Sequence, residues 1–151
     1  MLEVGASAPD FSFRAPDGST RTLSSLRGRP VVLYFFPKAN TTGCTIETRG
    51  FAERYPQFQQ RGVEVIGVSV DSSETQSAFA EKCGSRFPMV GDASKEIART
   101  YGVLGIFGVS KRVTFLLDDR LVVREVVEGM LPAPHLRAAV AWASARTPKT
   151  P

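Results

Sequence analysis

The stretch Val31-Val32-Leu33-Tyr34-Phe35-Phe36-Pro37-Lys38-Ala39-Asn40-Thr41-Thr42-Gly43-Cys44-Thr45-Ile46-Glu47 decides how this chain is read. Its first six residues are an unbroken β-branched and aromatic run, which predicts a strand buried on both faces at the centre of a parallel sheet. Pro37 and the polar residues 38–43 then form a loop, after which Phe51, Ala52, Tyr55 and Phe58 recur at helical spacing. A helix therefore begins near Cys44 and carries that thiol in its first turn. Pro56 is expected to kink or break this helix, because proline lacks the amide hydrogen and its ring clashes with the preceding turn.

Upstream, Phe11-Ser12-Phe13 and Thr20 to Leu23 alternate around the turn residues Ala15-Pro16-Asp17-Gly18, which predicts an N-terminal β-hairpin. Downstream, Val63 to Val70 reads as a second buried strand. Ser73 and Gln76 form a capping-box pattern that opens a helix through Phe79 and Cys83, and Gly84 stops it. Phe87 to Val90 is a short strand, and Ser94 to Tyr101 a short helix. Arg112 to Leu117 and Leu121 to Val127 form a second hairpin, and a last helix starts after Pro134. Strands alternating with helices, followed by a hairpin and a helix, imply an α/β fold. It consists of a central mixed sheet flanked by helices, an order compatible with a thioredoxin-like fold.

A length of 151 residues suits one domain, 1–151, burying roughly two-thirds of its unfolded surface without staples. Hydrophobic residues at 42% and charged residues at 23% are ordinary globular usage, which excludes disordered, collagen-like and coiled-coil classes. The longest apolar run is far shorter than a bilayer crossing requires, so no membrane association is expected. Met1 to Asp10 does not read as a secretory signal, and a cytoplasmic setting is expected. The net charge of +4 is spread without a block of like charges, and Lys111-Arg112 is too short for a basic patch. Nucleic-acid binding is therefore not expected. No His, Cys and Asp cluster has zinc-like spacing, so neither metal nor cofactor is implied.

Two cysteines in a chain of this kind are expected to be reduced at rest, and their surroundings decide their chemistry. Cys44 meets unpartnered backbone amides and the positive end of a helix dipole, both of which stabilise a thiolate. An ordinary thiol of pKa about 8.5 is about 3% ionised at pH 7, and bringing such a thiol to about 6 takes about 3 kcal/mol. A helix end supplies about 0.3–2 kcal/mol of that, so a cation such as Arg112 must add the remainder. Cys83 stands in the last turn of its helix, where the dipole disfavours a thiolate. The asymmetry selects Cys44 as the nucleophile and leaves Cys83 as an inert core thiol or a resolving partner.

Pro37, Thr41 and Cys44 match the peroxiredoxin pattern of proline, three residues, threonine, two residues, cysteine. With Asn40, Gly43 and Thr45, the segment resembles the bacterioferritin comigratory protein, or peroxiredoxin Q, branch. The likeness extends to Ala8-Pro9-Asp10-Phe11, Gly67-Val68-Ser69, Phe79-Ala80-Glu81-Lys82 and Arg112-Val113-Thr114-Phe115-Leu116-Leu117-Asp118. The resemblance implies a thioredoxin-like fold and a peroxidase in which Cys44 attacks a peroxide O–O bond to give a sulfenic acid. It also implies that Thr41 and the Cys44 amide donate to the peroxide and that Arg112 stabilises thiolate and leaving oxygen. Pro37 would close one wall of the pocket, and Glu47 would orient the arginine. One subset of the branch places its resolving cysteine on the helix that bears Cys83. The other subset places it five residues after the peroxidatic cysteine, where this chain has Arg49. Resolution by Cys83 would require local unwinding, since one thiol begins a helix and the other ends one, and a thioredoxin-type dithiol would then reduce the bridge.

Each residue also has a plainer role. Thr41 could be a capping hydroxyl, Arg112 a solvated strand-edge cation, Glu47 a helix-start charge and Cys83 a packing thiol. His135, the only histidine, is expected to touch solvent and is not the base. A thioredoxin-like disulfide exchanger would need C-x-x-C, but Glu47 holds the third position after Cys44, and Val113 replaces the proline expected on the matching strand. A non-catalytic peroxide sensor would share the same chemistry. With no large exposed apolar stripe evident, a monomer is expected.

Overall fold

The computed structural model describes residues 1–146; the end of the expected 1–151 domain, residues 147–151, lies outside the described residues. The chain runs through β1 (Ser12–Arg14), β2 (Thr20–Thr22), a 3-10 turn (Leu23–Leu26), β3 (Val31–Phe35) and α1 (Thr42–Gln60). It continues through β4 (Glu64–Ser69), α2 (Ser73–Cys83), β5 (Met89–Gly91) and α3 (Glu96–Tyr101), and ends with β6 (Val113–Leu117), β7 (Val123–Glu128) and α4 (Pro132–Ser144). The N-terminal hairpin pairs β1 with β2, and a five-stranded sheet has the order β5-β4-β3-β6-β7. β3, β4 and β5 are parallel, while β6 is antiparallel to both β3 and β7. The mixed sheet, its flanking helices and the hairpin match the α/β fold expected from the sequence.

β3 is central, and all five of its residues are buried. Strand alternation divides its side chains between two cores. Val31, Leu33 and Phe35 join Val113, Phe115, Leu117, Ala98 and Tyr101 beneath the hairpin and α3. Val32, Tyr34 and Phe36 join Leu116, Phe51, Phe58, Phe79 and Ala139 beneath α1, α2 and α4. By the same alternation Arg112, one residue before β6, shares the parity of Thr114 and Leu116 and faces α1.

Four local expectations are corrected. Pro56 does not break α1, which is continuous to Gln60. Pro56 is exposed while Phe51, Tyr55 and Phe58 are buried on either side, so packing offsets the missing backbone bond. The cap of α2 is Ser72, whose Oγ accepts from the Thr75 amide at 3.1 Å. Gln76 is instead buried and donates to the Val90 carbonyl at 3.0 Å, tying α2 to β5. The third helix starts at Glu96, because Asp92 accepts from the amides of Ile97 and Ala98 and sets its beginning. The last helix starts at Pro132 rather than after Pro134, since a proline in the first turn removes an amide that has no intrahelical partner.

Candidate active site

The loop between β3 and α1 is held from below by Asp71. One carboxylate oxygen of Asp71 accepts from the Ala39 amide at 2.8 Å and from Ser69 Oγ at 2.6 Å. Asn40 then turns the chain in the left-handed region, at φ 67°, which asparagine tolerates better than most residues. Thr41 is the N-cap residue of α1, so Cys44 is the third helical residue and its amide has no intrahelical acceptor. The Cys44 side chain is fully buried.

Arg112 reaches this thiol from a point 68 residues along the chain. Its Nη2 donates to Cys44 Sγ at 3.4 Å, its Nε donates to the Met130 carbonyl at 2.8 Å, and its Nη1 donates to Glu47 Oε1. All three guanidinium nitrogens are thus committed, and the fork is fixed in rotation as well as position. Glu47, one helical turn after Cys44, is fully buried, and its Oε2 has no hydrogen-bond partner. Burial pushes the Glu47 carboxyl up to about 7, against the opposing pull of Arg112. Burial works against the Arg112 charge, but Glu47 and Cys44 outweigh it and hold the guanidinium above its ordinary value. Gly43 leaves room for the fork: a Cβ there would lie 2.9 Å from Arg112 Nη2.

Thr41 is exposed, and its hydroxyl donates to the Lys38 carbonyl at 2.8 Å. Its proton is therefore engaged, and the oxygen is left to accept rather than to donate as expected. Pro37 is partly buried directly after Phe36. Cys83 is the last residue of α2, ahead of Gly84 in the left-handed conformation. Both thiols are free, and they share the apolar cluster of Phe36 and Phe79, whose rings lie 5.8 Å apart. Burial raises the Cys83 thiol above its ordinary value, with Arg49 and Lys82 pulling it back. The site therefore combines a buried thiol with a fixed cationic donor.

A profile of the AhpC/TSA family matches residues 4–126. The chain belongs to the AhpC/TSA family. Within the family it is 35% identical over 138 residues to the chloroplastic peroxiredoxin Q of Populus jackii, covering 89% of this chain and 65% of that protein. It thus spans just under two-thirds of the length of the first curated relatives it matches. The fold superposes on the peroxidoxin BcpB of Mycobacterium tuberculosis with a TM-score of 0.86 and 31% identity, covering 97% of this chain and all of that one. It also superposes on the bacterioferritin comigratory protein of Xanthomonas campestris, described for its alkyl peroxide reduction activity. That likeness has a TM-score of 0.83 and 31% identity, with 95% of this chain and 96% of that chain covered.

In this AhpC/TSA chain, Cys44, Glu47 and Arg112 form one hydrogen-bonded group, Thr41 is the N-cap of the helix that bears Cys44, Pro37 follows Phe36 just past the end of β3, and Cys83 ends α2 within the apolar cluster that also holds Cys44. Three contributors escaped the sequence. The Met130 carbonyl is a backbone group, which no residue type announces. Asp71 acts through the fold, from the end of the neighbouring strand. His135, expected to touch solvent, is fully buried, with Nδ1 2.8 Å from Thr114 Oγ1 and Nε2 2.8 Å from the Gly129 carbonyl. The flanking prolines misled that reading, since they mark a helix start without saying which face packs inward. Among the described residues, no group of three or more His, Cys, Asp or Glu side chains could hold a metal ion. No helix among them is long and apolar enough to cross a membrane.

Proposed function

We propose that this chain is a thiol-specific peroxidase that reduces hydrogen peroxide and organic hydroperoxides through Cys44. The Cys44 thiolate attacks the terminal peroxide oxygen, an S–O bond forms as the O–O bond breaks, and the products are a sulfenic acid and water or an alcohol. The departing oxygen gathers negative charge, which Arg112 and the Cys44 amide meet as donors in a water-poor site. The Thr41 oxygen accepts the peroxide proton and aligns the substrate, and Pro37 walls the pocket without adding a competing donor. Glu47 orients the arginine. The observation that carries this reading is the 3.4 Å approach of Arg112 Nη2 to Cys44 Sγ, fixed by two further hydrogen bonds on the same guanidinium.

Cys83 resolves the sulfenic acid. Its thiolate attacks the Cys44 sulfur and displaces water, forming an intramolecular disulfide that a thioredoxin-type dithiol reduces. A bridge needs the two Cα atoms within about 7 Å, so the first turns of α1 and the last turn of α2 rearrange in the oxidised form. The position of Cys83 at the terminal residue of α2, beside a helix-ending glycine, suits this. The working unit is a monomer, since both reacting cysteines belong to one chain, and the setting is a reducing compartment such as the cytoplasm.

Peroxide consumption coupled to thioredoxin, its reductase and NADPH tests the proposal. Turnover that disappears in Cys44→Ser supports it. Unchanged turnover in that variant, or a wild-type protein inert to peroxide, overturns it.

A further inference from the structure

Arg112 aims its Nη2 at the reactive sulfur while its Nη1 is bonded to Glu47 and its Nε to the Met130 carbonyl, so the turn that presents this carbonyl is part of what holds the guanidinium. That turn, Gly129 to Leu131, joins β7 to α4, and the side chains of Met130 and Leu131 are exposed. Burial of its own side chains therefore does not fix it. The Gly129 amide donates to the Arg112 carbonyl at a long 3.4 Å, and Gly129 itself has φ 139°, open to little but glycine. A further tie is the imidazole of His135, fully buried in the first turn of α4.

The two nitrogens of this ring are not equivalent. A backbone carbonyl can only accept, so Nε2 carries the proton toward Gly129 at 2.8 Å. Nδ1 of the neutral ring then accepts from the Thr114 hydroxyl at 2.8 Å. Thr114 belongs to β6, two residues after Arg112, opposite Tyr34 of β3. Burial, together with the nearby Arg112 charge, holds this imidazole below its usual pKa and favours the neutral ring.

We propose that His135 is a positioning residue: the Gly129 carbonyl fixes its tautomer, Thr114 anchors Nδ1, and the Nε2–H pins the Gly129 carbonyl so that the Met130 carbonyl holds Arg112 on Cys44. The inference rests on the peroxidase reading above and adds a remote group to it. His135 does not touch the sulfur, and it transfers no proton. Its effect travels through one imidazole, one turn and one guanidinium.

The experiment has two arms. His135 is the only histidine, so nitrogen-15 NMR of histidine-labelled protein reports a single ring. The expected spectrum at pH 7 is that of the neutral Nε2–H tautomer; the Nδ1–H tautomer or an imidazolium overturns the proposal without any mutation. The second arm measures first-turnover oxidation of Cys44 by hydrogen peroxide, by rapid quench and mass spectrometry, in folded His135→Gln and His135→Asn. Glutamine carries its amide nitrogen at the bond count of imidazole Nε2, and asparagine at that of Nδ1. The Asn variant should be slowed about tenfold or more, and the Gln variant should stay within about threefold of wild type, even where both melt earlier. Equal rates in Asn and wild type, or equal losses in Asn and Gln, overturn the proposal. A wild-type protein that shows the expected tautomer but does not react with peroxide refutes the peroxidase reading and leaves the geometry of the turn standing.

Discussion

Arg112 Nη2 lies 3.4 Å from Cys44 Sγ, while Nη1 of the same guanidinium is bonded to Glu47. One planar cation thus joins a thiol and a carboxyl group that stand three residues apart on α1. The i, i+3 spacing places both side chains on one helix face, and the fork of arginine spans them.

Arg112→Met should cut the rate of Cys44 oxidation by hydrogen peroxide about 10²–10³-fold, the usual consequence of removing a preorganised donor at developing charge. Arg112→Lys should recover only part of that loss, because a single ammonium cannot hold Met130, Glu47 and Cys44 in one plane. Stopped-flow rates with circular dichroism as a folding control check both variants.

Glu47 leaves a distinct mark on stability. Its folded-state pKa is raised to about 7 from the ordinary 4.5, so between those values the native state holds a proton that the unfolded chain has released. Stability contributed by the neutral acid is therefore full below pH 4.5, declines as pH rises toward 7, and is flat beyond. The span is about 3 kcal/mol. Urea unfolding of the wild type and Glu47→Gln across pH 4.5–8 should show this slope in the wild type and lose it in the variant.

Cys83→Ser should retain the first turnover, leave a stable Cys44 sulfenic acid and lose recycling by thioredoxin. One equivalent of peroxide added to wild type should yield a Cys44–Cys83 bridge within one chain, read by mass spectrometry. Unchanged steady-state turnover in Cys83→Ser would make this thiol a packing residue. In the reduced protein at neutral pH, iodoacetamide should modify Cys83 slowly, since burial raises that thiol above its ordinary value.

Pro56→Ala should stabilise the protein. Pro56 is exposed inside a continuous α1, while alanine restores an amide to the helix. The gain should be about 1–3 kcal/mol, seen as a higher urea midpoint at unchanged m-value.

Much of the fold is written in short-range pattern. The run from Val31 to Phe36 becomes a central strand because six consecutive apolar residues cannot face water on either side. Gly84 and Gly102 end helices in the left-handed conformation that glycine enters freely. Some misreadings were slips of a single residue, and others arose where a distant group intervened. Ser72 rather than Ser73 caps α2, and Gln76 is drawn away to Val90 of the sheet's edge strand. Pro56 is tolerated because three aromatic side chains around it are packed beneath α1.

By itself, the amino-acid sequence determined the α/β order, the placement of Cys44 at a helix start and the need for a cation beside it. These follow from hydrophobic periodicity, turn chemistry and the field at a helix end, all of which act over a few residues. Only the tertiary structure decided that Arg112 is held by the Met130 carbonyl and that His135 is buried against Thr114. Those outcomes depend on the register of β6 against β3 and on how α4 packs across them. Contacts of that kind are set by where separate elements meet, and no local pattern encodes them.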